Sequence, residues 1–146
     1  RAAGLVAARF LFKDKACTVF DFGTTLTIDF LGVDGRYLGG NISLGCRTRT
    51  KALERYSKNL PLIDTPVSVQ PEGTSLESSI GSGVVLGIIF EIEGYIKAHG
   101  ENIVIFTGGD AIYFAKRMKS SIFVVCNLEL MGLAIITDDY VKKIIG

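Results

Sequence analysis

The stretch Asp21-Phe22-Gly23-Thr24-Thr25 decides how this chain is read. Before it, residues 16–20 form a short apolar run of the length of a buried strand. After it, residues 25–31 are rich in β-branched and aromatic side chains and read as a second strand. A bend this short between two strands makes them antiparallel neighbours. Val33-Asp34-Gly35-Arg36 then carries the Asp-Gly hairpin signal, and residues 37–44 return as a third strand interrupted by Gly39-Gly40. With an alanine- and leucine-rich helix over residues 2–12 and the polar turn Lys13-Asp14-Lys15 in front, the chain opens as a helix followed by a three-stranded meander.

Downstream the period changes from two to near four. Residues 47–58 fit a helix with Leu53 and Tyr56 inward and basic side chains outward, ended by Leu60-Pro61. Residues 63–73 hold two prolines among polar residues and read as a loop, placed to act as a flap. Thr74-Ser75-Leu76-Glu77 has the form of a capping box with Thr74 as N-cap. The helix it opens carries Leu76, Ile80, Val84, Ile88, Ile92 and Ile96 on one stripe and meets Gly100 as a stop. Gly81, Gly83 and Gly87 cost that helix ~1 kcal/mol each relative to alanine, so another backbone is expected to come close there. A buried strand over 103–106, the turn Thr107-Gly108-Gly109, a helix over 110–118, a strand over 122–125 and a helix capped by Asn127 to about residue 136 complete the chain. The alternation implies an α/β domain whose mixed sheet has three antiparallel plus two parallel strands with flanking helices.

Composition narrows the function. At 146 residues, 48% hydrophobic and 21% charged, the chain can bury one core. A net charge of +1 lacks the basic excess of a dedicated nucleic-acid binder, so no nucleic-acid partner is expected. Cys17, Cys46 and Cys126 are isolated and there is one histidine, His99, so neither a zinc site nor a disulfide framework is suggested. They read as buried thiols of a cytoplasmic protein. The most apolar region, residues 84–92, is cut by Gly87 and followed by acids, so no membrane span is expected. The first residue is Arg1, and the chain reads as part of something longer.

Five pieces could carry chemistry. In the bend, glycine admits a ligand to the backbone, Thr24 and Thr25 can hold phosphate oxygens, and Asp21 can hold a cation; a capped hairpin corner explains the same residues. Asp-Phe-Gly also spells the protein-kinase metal triplet, but with no His-Arg-Asp loop and no Val-Ala-Ile-Lys strand the match is coincidence. Thr107-Gly108-Gly109 follows a strand and opens a helix, a place for a ligand or merely for close packing. Gly39 to Gly45 is a bulged strand or a ligand-facing surface. Thr74 combines a cap with a helix N-terminus behind a loop. The basic series Arg47, Arg49, Lys51, Arg55 and Lys58 reads as a solvated face.

In order, the acid-x-Gly-Thr bend, Gly-Gly-x-Ile-x-x-Gly over 39–45, Leu60-Pro61, the Thr74 glycine-bearing helix and Thr107-Gly108-Gly109 resemble the type III pantothenate kinases, the family that includes the Bvg accessory factors. The resemblance covers residues 1–137. It implies a two-lobed ribonuclease-H/actin-like protein of the sugar kinase superfamily, with residues 1–146 as its C-terminal lobe and the ATP-binding N-terminal lobe outside them. The implied reaction is ATP-dependent phosphorylation of pantothenate to 4'-phosphopantothenate, the first step of coenzyme A biosynthesis. Implied too are a homodimer, magnesium, and a monovalent cation, potassium or ammonium. By resemblance, Asp21 sits at the monovalent cation, Gly23, Thr24 and Thr25 hold ATP phosphate, and Thr107, Gly108 and Gly109 lie near the adenosine. Arg1 binds pantothenate, and Thr74 reaches it from the neighbouring subunit. The general base is the aspartate before that arginine, outside these residues. Thr25 and Leu44 stand where the family usually has alanine and proline. A non-catalytic regulatory relative, another kinase of the superfamily, and an interaction module that pairs subunits through the glycine helix are the alternative readings.

Overall fold

The computed structural model describes residues 1–145. Its strands are β1 (Cys17–Phe22), β2 (Thr25–Leu31), β3 (Tyr37–Leu44), β4 (Ile103–Gly108) and β5 (Phe123–Val124), in the order β3-β2-β1-β4-β5. β1, β2 and β3 pair antiparallel, and β4 and β5 add parallel on the other side of β1. This is the mixed sheet that the alternation of elements implies. The helices are α1 (Ala2–Leu11), α2 (Cys46–Tyr56), α3 (Leu76–Ala98), α4 (Ala111–Ala115) and α5 (Leu128–Ile145).

Side chains alternate between the two faces of the sheet. Phe20, Phe22, Leu26, Ile28, Val104 and Phe106 face α3 and α4, where Ile80, Val84, Ile88, Ile92 and Phe114 close the larger core. Phe22 stacks on Phe114 with centroids 5.1 Å apart. Cys17, Val19, Leu31 and Ile105 face the opposite way, onto Ala7 and Ala8 of α1 and Leu128 of α5. The small residues matter there. A Cβ on Gly132 of α5 would lie 1.7 Å from the Ala3 carbonyl oxygen of α1, so the two backbones touch.

The structure departs from the sequence reading in several places. β1 runs on to Phe22, so Asp21 belongs to the strand rather than to the turn. The cap of α3 is Ser75, not Thr74: its hydroxyl accepts the Ser78 amide at 3.1 Å, and the Ser78 hydroxyl accepts the Ser75 amide at 2.9 Å. Serine at the third position thus does the work expected of Glu77. α4 stops at Ala115, short of residue 118, and α5 runs to Ile145, past residue 136. No glycine or proline interrupts residues 133–145, and Asp138 pairs with Lys142 one turn on. Tyr56 is exposed rather than inward, Leu76 is exposed, and Cys126 is exposed while Cys17 and Cys46 are buried. Arg49 leaves the basic face to pair with Glu91 of α3 and to donate to the Leu44 carbonyl at 2.8 Å. By length and composition α3 could cross a membrane, against the sequence expectation; here it is the helix on which the larger core is built.

The 63–73 loop is held down. The Tyr113 hydroxyl donates to the Pro66 carbonyl at 2.5 Å, and Arg117, stacked 3.5 Å over the Tyr113 ring, donates to the Val67 carbonyl at 2.6 Å. Gly81 accommodates this loop: a Cβ there would meet Pro66 at 3.1 Å. The outward glycine, Gly83, faces open space.

Candidate active site

The end of β1 gathers most of the singled-out residues. Asp21 is the register partner of Thr27 on one side and Thr107 on the other, and Phe22 is the partner of Gly108. Gly108 has φ +91°, and a Cβ there would fall 2.5 Å from the Phe22 carbonyl oxygen and 2.6 Å from Asp21 Oδ1. Only glycine lets the turn after β4 close onto the bend after β1. Beside this contact lies a cavity of about 200 Å³ lined by Asp21, Thr107, Gly108, Asn127 and Glu129, among others. Burial, reinforced by Glu129, raises the Asp21 carboxyl above the ordinary carboxylate range. That carboxylate has no hydrogen-bond partner among the described residues, so a cation at this spot would relieve it. No group of three metal-ligating side chains occurs among the described residues.

The bend itself is exposed and anchored from behind. The Gly23 amide donates to the Thr25 carbonyl at 3.0 Å. The Thr24 carbonyl accepts the Gly45 amide at 3.0 Å and the Thr48 hydroxyl at 2.7 Å, which fixes the bend to the first turn of α2. A Cβ on Gly45 would be 2.0 Å from the Gly23 carbonyl oxygen. With its carbonyl so held, Thr24 leaves its own N–H and hydroxyl without a partner among the described residues, on the open side. Gly23, Thr24 and Thr25 are all exposed.

On the same face of the sheet the sequence reading missed Asp29. It is 2% exposed, in the middle of β2, yet it is the anchor for Arg1. Arg1 Nε donates to both Asp29 oxygens at 3.0 and 2.9 Å, and Nη2 donates to Oδ1 at 2.5 Å. The Tyr37 hydroxyl donates to Oδ1 at 3.1 Å. Gly40, the partner of Asp29 on β3, has no room for a side chain: a Cβ would be 2.3 Å from Asp29 Oδ1 and 2.7 Å from Arg1 Nη2. The Gly39-Gly40 interruption therefore makes way for a charge pair, beside a register shift at Phe30 and Leu31. The signal was present in Thr-Leu-Thr-Ile-Asp-Phe-Leu: period two puts an acid on the face of Thr25, Thr27 and Leu31, opposite Leu26 and Ile28, across from Val19 and diagonal to Asp21.

Thr74 stands apart. It is exposed at the start of α3, its amide donating to the Ser78 hydroxyl at 3.0 Å, and it does not line the cavity at Asp21. Gly109 follows Gly108 and lies against the Phe22 carbonyl.

The family model for type III pantothenate kinase matches residues 1–98. The type III pantothenate kinase of Phocaeicola vulgatus is 42% identical over 137 residues, covering 91% of this chain and 57% of that protein. That of Flavobacterium psychrophilum is 43% identical over 130 residues, covering 86% of this chain and 54% of that protein. The chain thus spans little more than half the length of these relatives. Among solved structures, a Campylobacter jejuni protein described as a Baf family transcriptional activator superposes with TM-score 0.73 at 24% identity, over 96% of this chain and 65% of that one. The activator of 2-hydroxyisocaproyl-CoA dehydratase from Clostridium difficile, solved with bound ADPNP, gives TM-score 0.63 at 15% identity, over 97% of this chain and 66% of that one. These likenesses show the fold alone: the mixed sheet and its helices have the ribonuclease-H/actin-like arrangement. By sequence, the chain belongs to the type III pantothenate kinase family.

Proposed function

We propose that the complete protein transfers the γ-phosphoryl group of ATP to the hydroxyl of pantothenate, and that residues 1–146 are its C-terminal lobe. The observation that carries this reading is the closure of Gly108 onto Asp21 and Phe22, next to a bend whose Thr24 donors stand open. Phosphoryl transfer asks a protein mainly for positioning and for neutralisation of charge. The exposed groups of Gly23, Thr24 and Thr25 would hold phosphate oxygens, and the turn Thr107, Gly108 and Gly109 would border the adenosine. Asp21 would hold the monovalent cation, potassium or ammonium, whose charge would offset that of the phosphates. Magnesium would arrive with ATP. Arg1 would bind pantothenate, and the hydroxyl proton would pass to an aspartate outside these residues. These 146 residues alone would therefore not turn over. A cytoplasmic location would follow from the substrates.

Thr74 would act on the site of a neighbouring protomer. That it does not line the Asp21 cavity supports this reading, and so does the outward face of α3, where Gly83 opens to space and Phe90 is exposed. A homodimer would cover this face.

The decisive variant is Thr24→Val in the complete protein. It keeps the shape and removes the hydroxyl. Initial rates should show KM for ATP rising by about tenfold, with KM for pantothenate nearly unchanged. Equal ATP dependence in variant and wild type would remove the phosphate role of the bend.

A further inference from the structure

Asp29 is a carboxylate taken out of water in the middle of a strand, a placement that is costly unless the charge is fully paired. Its pairing is one-sided by design. The Nε and Nη2 edge of Arg1 and the Tyr37 hydroxyl all converge on it, whereas Arg1 Nη1 has no partner among the described residues. The Arg1 side chain is 38% exposed and that of Asp29 is 3%. One edge of the planar guanidinium is thus spent on the protein and the edge containing Nη1 is turned toward solvent. Nη2 also donates to the Tyr37 hydroxyl at 3.3 Å, so a guanidinium held flat in this way can receive a second carboxylate through its Nη1 N–H groups with little further loss of freedom. Gly40 gives the arrangement its room and β2 gives it a rigid base.

We infer that Asp29, assisted by Tyr37, is a positioning residue that fixes Arg1 so that its free edge selects acceptors carrying a carboxylate. The inference rests on the proposed reading of Arg1 as an acceptor contact and adds what that contact recognises and what holds it. Asp29 touches no reacting atom. It acts by denying Arg1 other conformations, and its loss is felt in the affinity and selectivity for the acid.

The test uses the complete protein and calorimetric titration with two probes, pantothenate and the alcohol that carries CH₂OH in place of its carboxylate. Melting curves and KM for ATP are taken on each variant. Asp29→Asn should weaken pantothenate binding by about tenfold or more and leave the alcohol within about twofold of wild type, erasing the preference for the acid. Tyr37→Phe, which removes one hydroxyl and keeps the ring, should move the same ratio in the same direction by a few-fold, and KM for ATP should stay put in both variants. Equal weakening of acid and alcohol, or a lowered melting temperature with an unchanged ratio, would make Asp29 a purely structural partner and overturn the inference. Should Asp29→Asn fail to fold, an unchanged ratio in Tyr37→Phe overturns it in the same way. A wild type that binds pantothenate while Arg1→Ala binds it equally well overturns the inference and spares the kinase reading. A wild type that binds neither probe overturns both.

Discussion

The two faces of the sheet are built from the same strands and end in different chemistry. Toward α3 and α4, β1 presents Thr18, Phe20 and Phe22, and the layer stays closed and aromatic to the end of the strand. Toward α1 and α5 it presents Cys17 and Val19 and then Asp21, and the layer changes from core to charge within one strand. β2 repeats the change with Leu31, Asp29 and Thr27, and β4 with Ile105 and Thr107. Stability is concentrated on the first face. The second gives up part of its apolar contact to gather acids, threonines and an arginine at one end.

The contrast can be broken most forcefully at its closed side. Phe106→Ala should cost about 3–5 kcal/mol, because a fully buried ring leaves a cavity between Phe20 and Phe22. Urea unfolding would measure it, and a loss below about 1 kcal/mol would show that the aromatic layer can collapse around the gap. On the other face the sensitive point is the helix crossing. Gly132→Ala should cost about 1–3 kcal/mol, since the added methyl meets the Ala3 backbone and not a flexible side chain. A shift in the urea midpoint against wild type would read it.

Asp21→Asn should have a smaller effect and the opposite sign. Burial and then Glu129 raise the Asp21 carboxyl, so the fold prefers its protonated form. Its contribution favours folding below the ordinary carboxylate range and is lost as pH climbs through the raised value. At pH 7 the asparagine variant should melt higher than wild type, and the gap should close as pH falls below that range. It should also lose any stabilisation that potassium gives the wild type. The smallest effect is chemical. Cys126 should react with a maleimide in the native state, while Cys17, whose thiol burial pushes up to about 11, should react only after unfolding. Mass spectrometry of the labelled protein would count the sites.

The sequence made the closed face legible and half of the open one. β-branched and aromatic residues marked β2, the Asp-Gly turn marked the return of β3, and the bend and the Thr-Gly-Gly turn could be named as candidate ligand sites because glycine and threonine announce backbone access. Asp29 escaped because its meaning depends on Arg1, twenty-eight residues away and across a helix. Gly40 read as an interruption of a strand because the group that fills its space belongs to another element. The Thr74 cap was off by one because serine at 75 and serine at 78 satisfy each other, a pairing that the Thr-to-Glu spacing imitates. Tyr56 fits an inward helical position by period, but no element covers it.

The strap over the 63–73 loop has a consequence of its own. Tyr113 and Arg117 grip the carbonyl oxygens of Pro66 and Val67, and carbonyls are common to every amino acid. The grip is therefore blind to what the loop spells. Val67, 92% exposed, can be exchanged for almost any residue without loosening it, whereas Tyr113 cannot give up its hydroxyl. Substitution in this region should accumulate on the strapped segment and spare the clasp.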